Sequence, residues 1–233
     1  MMRKVLLLCG ILSSLLYVVM NVVVPMWYEG YSTASQTVSE LSAIGAPTRP
    51  LWVLLAVAYT VLVVAFGCGV WKSAGRNNAL RAVGGLMVVY GLGGLFWPPM
   101  HQREALAAGG KTFTDTLHLV FTMVTVPLML LAIVFGAAAF GKRFRLYSLA
   151  TIVVLLLFGA LTGWAAPRLE AGLPTPWIGV WERISIGAYM LWVAVLAIVL
   201  LRTHGTAPRR TLGGMTEAPH LPLQPTMGSG AAA

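Results

Sequence analysis

Leu51-Trp-Val-Leu-Leu-Ala-Val-Ala-Tyr-Thr-Val-Leu-Val-Val-Ala-Phe-Gly-Cys-Gly-Val-Trp71 is a run without a single charged side chain. About 20 apolar residues in helical conformation cross a hydrocarbon core of roughly 30 Å, so this segment is long enough to span a membrane. Apolar and polar residues do not alternate along it, which implies a helix rather than a strand of a barrel. Five further runs of similar length lie at 5–24, 80–97, 115–140, 146–166 and 178–201. Of the 233 residues, 58% are hydrophobic and only 10% are charged, with a mean hydropathy of +0.81, which excludes an ordinary soluble globular domain. The expected fold class is all-α: a polytopic membrane bundle of six transmembrane helices occupying residues 1–201. Residues 202–233, rich in Pro, Gly, Thr and Ala and without periodicity, are expected to form a disordered basic tail.

The first run follows Arg3 and Lys4, as the core of a signal peptide would. It is too long for that role and lacks a small-residue cleavage site before Pro25, so an uncleaved first helix is expected. Cys9 and Cys68 are the only cysteines, and both fall toward the end of their helices assigned to the reducing side, where packing is the expected role.

Short-loop positive charge sets topology. With six spans, one side receives Arg3, Lys4, Lys72, Arg76, Arg81, Lys142, Arg143, Arg145, Arg202, Arg209 and Arg210, whereas the other receives Arg49, Arg103, Lys111, Arg168 and Arg183. Both termini are therefore expected in the cytoplasm, with the protein in the inner (plasma) membrane. The +9 net charge follows from this rule together with anionic lipid at the inner leaflet; there is no folded soluble module to carry a nucleic-acid interface. Acids sort the opposite way, with Glu29, Glu40, Glu104, Asp115, Glu170 and Glu182 on the outer side and Glu217 alone inside. Trp27, Trp52, Trp97, Trp164, Trp177 and Trp181 gather near the same outer boundary, as an interfacial belt does.

Polar chemistry is thus concentrated outside. Asp115 and His118 are three residues apart, so on a helix they share one face near its start. In the long outer connection, Ala34, Val38, Leu41 and Ile44 recur at spacings of three and four, which predicts a short amphipathic helix presenting Ser35, Gln36, Ser39 and Glu40 on its polar side. Gly30-Tyr31-Ser32, Gln36-Thr37-Val38-Ser39-Glu40-Leu41 and Gly45-Ala46-Pro47-Thr48-Arg49 stand in this connection. Together with Asp115, His118 and Glu182-Arg183, they resemble a bacterial and archaeal membrane family catalogued as a domain of unknown function, DUF 998. The resemblance covers roughly 10–201. It implies six helices and an outer polar cluster, and it brings no established activity.

Two readings compete for each acid. A carboxylate in the first turn of a helix opposes the dipole, worth about 0.3 to 1 kcal/mol, and Thr112 or Thr114 is a suitable N-cap. Alternatively, Glu40, Arg49, Asp115, His118, Glu182 and Arg183 line a site for the anionic head group of a membrane lipid or amphiphile, held at helix N-termini. A metal-dependent lipid hydrolase using His101, Asp115 and His118 is the alternative from another class, and a non-catalytic scaffold is the third. Metal sites want three protein ligands, and here no helix carries a His-xxx-His pair. The span centres carry Asn21, serines and threonines but no acid or base, which argues against coupled ion transport. Small residues such as Gly84, Gly91, Gly94 and the pair Gly159 and Gly163 predict close packing within the bundle, or a homodimer through those faces.

Overall fold

The computed structural model describes residues 1–203, and the expected tail from residue 204 onward lies outside the described residues. Nine helical elements follow one another among the described residues, and seven are α-helices. These are α1 (Met2–Val23), α2 (Arg49–Ser73), α3 (Asn78–Leu95), α4 (Arg103–Ala107), α5 (Phe113–Ala139), α6 (Lys142–Glu170) and α7 (Ile178–Thr203). Six segments are long and apolar enough to cross a membrane, all but the five-residue α4. The chain is a multi-pass membrane protein. Its long helices form a closed ring in which each packs on its neighbours in sequence, α7 returning to α1.

Glycine brings these helices together. A Cβ at Gly84 would stand 2.7 Å from the Trp71 backbone nitrogen, and one at Gly69 would stand 2.9 Å from Leu6. Contacts this close are open only to residues without a side chain, and in lipid, where apolar burial offers little drive, such packing holds helices together. Gly163 of α6, by contrast, has nothing within 4 Å of its Cβ position. The interior is filled by Phe66, Met87, Ile133, Tyr189, Trp192 and Leu196. Ser14 Oγ donates to the Met190 carbonyl at 2.8 Å and Trp192 Nε1 donates to Ser148 Oγ at 3.0 Å, whereas the buried Tyr147 hydroxyl has no partner.

The two ends of the ring differ. At one end the connections are short, 74–77 between α2 and α3 and 140–141 between α5 and α6, with Arg76 in the first and Lys142, Arg143 and Arg145 just after the second. At the other, the segments 24–48, 96–112 and 171–177 are long and fold over the helix ends as a cap. The expected amphipathic helix in the first of these is a five-residue 3-10 helix, Val38–Ser42. Its polar side does not all face outward: Val38 and Leu41 are buried, and so is Glu40. Two boundaries also differ from expectation. Helix α6 runs through Pro167 to Glu170, and the 96–112 connection contains α4.

A candidate functional site in the cap

All the predicted site residues lie at the cap end, and most of them converge on one segment, residues 31–48. Glu40 is 2% exposed and sits beneath α4. Arg103 grips it with both arms of its guanidinium, Nε to Oε1 at 2.5 Å and Nη2 to Oε2 at 2.8 Å. The same Glu40 Oε2 accepts the Thr37 backbone N–H at 2.7 Å, closing a capping box that starts the 3-10 helix. Arg103 Nη2 also donates to the Ser35 carbonyl, and Nη1 reaches Thr175 Oγ1. One arginine thereby ties all three cap segments together, and its hydrogen bonds to Glu40 raise its already high pKa, keeping it charged. Arg49, at the start of α2, donates to the Ser42 carbonyl at 2.6 Å.

Asp115 and His118 share a face of α5 but not a partner. Asp115 is the third residue of its helix, so its side chain reaches back toward the N-cap. There it accepts from the Thr112 backbone N–H and hydroxyl, completing a second capping box. It also accepts the His101 backbone N–H at 2.7 Å and meets His101 Nδ1 at 2.9 Å. His118, 5% exposed, turns the other way, with Nδ1 2.8 Å from the Pro98 carbonyl and Nε2 3.1 Å from Ser39 Oγ. Of the metal set predicted from sequence, His101 and Asp115 therefore meet while His118 stands apart. No group of three or more His, Cys, Asp or Glu placed to hold a metal occurs among the described residues.

Glu182 and Arg183 open α7. Glu182 Oε2 accepts the Val38 N–H at 2.5 Å. Arg183 Nη1 donates to the carbonyls of Thr33 and Gln36, and Nη2 donates to the Tyr31 hydroxyl at 2.7 Å. Burial pushes the Tyr31 hydroxyl up to about 12, with Arg183 opposing the shift, so at neutral pH it keeps its proton and donates to the Thr37 carbonyl. The first amides of α7 are satisfied from outside the helix, since Gly179 N–H donates to the Ala34 carbonyl at 2.9 Å. That approach requires glycine: a Cβ at 179 would stand 2.2 Å from the Gln36 carbonyl oxygen and 2.4 Å from that of Thr33.

Arg103 and Ser39 were read from the sequence only as an outer-side charge and a residue of a polar face, and Gly179 was not singled out, although each organises the cap. A glycine within the first turn of α7 was the legible signal for one of them, because a helix start has no use for it unless another backbone lies close. Beside the cap, a groove of about 450 Å³ runs down between α1 and α7, lined at its top by Asn21, Thr33 and Arg183 and lower down by Val18, Ile186, Gly187 and Met190.

The fold and the cap together define a class: a polytopic six-span helix bundle closed at one end by a network of buried charges. Residues 11–199 match the family model described as a protein of unknown function, DUF998, and the chain belongs to that family. No curated protein and no solved structure matches the chain.

Proposed function

We propose that the protein binds a membrane amphiphile with an anionic head group in the groove between α1 and α7, with Arg183 and Asn21 at the head and the chain against Ile186 and Met190. One observation carries this reading. Arg183 Nε and Asn21 Oδ1 are buried without a hydrogen-bond partner, and both residues line the polar end of this groove. Buried polar atoms are nearly always paired, so an unpaired donor and acceptor on two residues that line one groove favour a ligand that supplies the missing groups. Arg183 also forms no salt bridge among the described residues, which favours an anion. The change from polar to apolar lining down the groove fits a head group followed by an acyl chain.

Of the six residues expected to line a lipid site, this reading retains Arg183. Glu40, Arg49, His118 and Glu182 support it indirectly, by anchoring the 31–48 segment whose Thr33 edges the groove, whereas Asp115 holds His101 and Thr112 and has no part in it. Gly187 offers a clean test, because nothing lies within 4 Å of its Cβ position and a large side chain there fills the groove without disturbing the bundle. Native mass spectrometry of gently extracted protein is expected to find an amphiphile retained by the wild type and lost from Gly187→Phe, with melting temperature unchanged. Equal retention by the two proteins defeats the proposal.

A further inference from the structure

Besides tying residues 31–48 to α5, Ser39, His118 and Pro98 stand in an order that can do chemistry. Pro98 O lies 2.8 Å from His118 Nδ1, and a carbonyl oxygen can only accept, so Nδ1 carries the proton. Nε2 of the neutral ring is then an acceptor, and at 3.1 Å it faces the Ser39 hydroxyl. Trp97 Nε1–H, which can only donate, competes for the same Nδ1 at 3.2 Å, but Pro98 O at 2.8 Å is the shorter contact and sets the proton on Nδ1, the indole then packing edge to face on the imidazole at 5.5 Å. A hydroxyl, an imidazole whose far nitrogen accepts from it, and a fixed acceptor that sets the tautomer are the parts of an activated serine nucleophile. Here a backbone carbonyl takes the orienting position.

We propose that Ser39 is a nucleophile and His118 its general base, acting on the carboxylic ester of a membrane-partitioned amphiphile. Placement supports the assignment. His118 is shielded from water at 5% exposure, whereas Ser39 is only partly buried. Ser39 is held on a rigid support: Val38 before it is bonded to Glu182, and Glu40 after it is clamped by Arg103. Trp97, 36% exposed and stacked edge-on against Phe121, supplies an apolar wall beside the imidazole where α3 and α5 meet the cap. A substrate whose carbonyl sits at the polar boundary and whose acyl chain lies in the membrane matches that setting.

The reaction balances with water as the only co-reactant. Ser39 Oγ bonds to the ester carbonyl carbon while its proton passes to His118 Nε2 and the carbonyl π pair moves to oxygen. When that pair returns, the ester C–O bond breaks and the proton on Nε2 goes to the leaving alkoxide. Water then attacks the acyl group on Ser39 by the same route, releasing a carboxylic acid and restoring the hydroxyl. None of these residues lines the α1–α7 groove, so the two proposals stand or fall separately.

The experiment uses the full-length protein in detergent and a long-chain alkyl fluorophosphonate, with the adduct located by peptide mass. Labelling at Ser39 is expected in the wild type and absent from Ser39→Ala. His118→Gln, which keeps a hydrogen-bonding group but no base, is expected to slow labelling by about a hundredfold or more. A wild-type protein that melts cooperatively yet carries no adduct on Ser39 overturns the proposal without recourse to any variant. An undiminished labelling rate in His118→Gln overturns it as well.

Discussion

Between the membrane-spanning helices, contact is made by glycines; in the cap it is made by carboxylates. Gly84 lets α3 touch the α2 backbone, and Gly10 lets α1 lie against the Phe66 ring. In the cap, Glu40, Asp115 and Glu182 each hold backbone amides or cations from segments remote in sequence. Solvent explains the difference. Within lipid, a side chain gains little by leaving hydrocarbon for protein, so association depends on close fit. At the membrane boundary, water competes for every polar group, and a loop is fixed only if its hydrogen bonds are made in places that water does not reach. The cap meets that condition by burying Glu40 and Asp115 to 2% and 4% exposure and giving each several donors.

This contrast can be broken at its strongest point by Arg103→Met. The substitution leaves Glu40 buried without its cation, an arrangement that costs about 3 to 5 kcal/mol. The melting temperature in detergent should fall sharply and recover in part when Glu40→Gln is added. A smaller loss, on the order of 1 to 3 kcal/mol, is expected from Gly179→Ala, because the new methyl meets the Thr33 and Gln36 carbonyls and the segment must lift from α7. Proteolysis within 31–48 reads that lifting directly. At the other extreme, Gly163→Ala adds a methyl where nothing lies within 4 Å, and thermal melting should change by less than about 0.5 kcal/mol. If Gly163→Ala instead costs as much as Gly179→Ala, the comparison between membrane and cap fails.

The six spans were legible because apolar runs of this length, free of charge or with charge only near one end, have almost no alternative. Their common polar end was legible too, from the sorting of acids and tryptophans. Pairing was not. Sequence spacing places Asp115 beside His118 on one face, yet side chains lean toward the helix N-terminus and a carboxylate at the third position is drawn back to the N-cap. Asp115 accordingly meets Thr112 and His101, and His118 is left to Pro98 and Ser39. Of the apolar face expected from Ala34, Val38, Leu41 and Ile44, Val38 and Leu41 are buried, Ala34 is partly buried and Ile44 is exposed. That spacing could not foretell that Glu40 on the opposite side would also be covered, because the covering residue, Arg103, comes from α4, a five-residue helix with no periodicity to announce it. Nor does Pro167 end α6, although a proline after Trp164-Ala-Ala reads as a stop.

The carbonyl of Ala34 that receives the first amides of α7 sets an order on biosynthesis. Residues 31–48 leave the ribosome well before Arg103, Asp115 and His118, and far ahead of Gly179, Glu182 and Arg183. A nascent chain halted short of residue 178 therefore lacks the donors, Gly179 and Arg183, that hold residues 31–36 against α7.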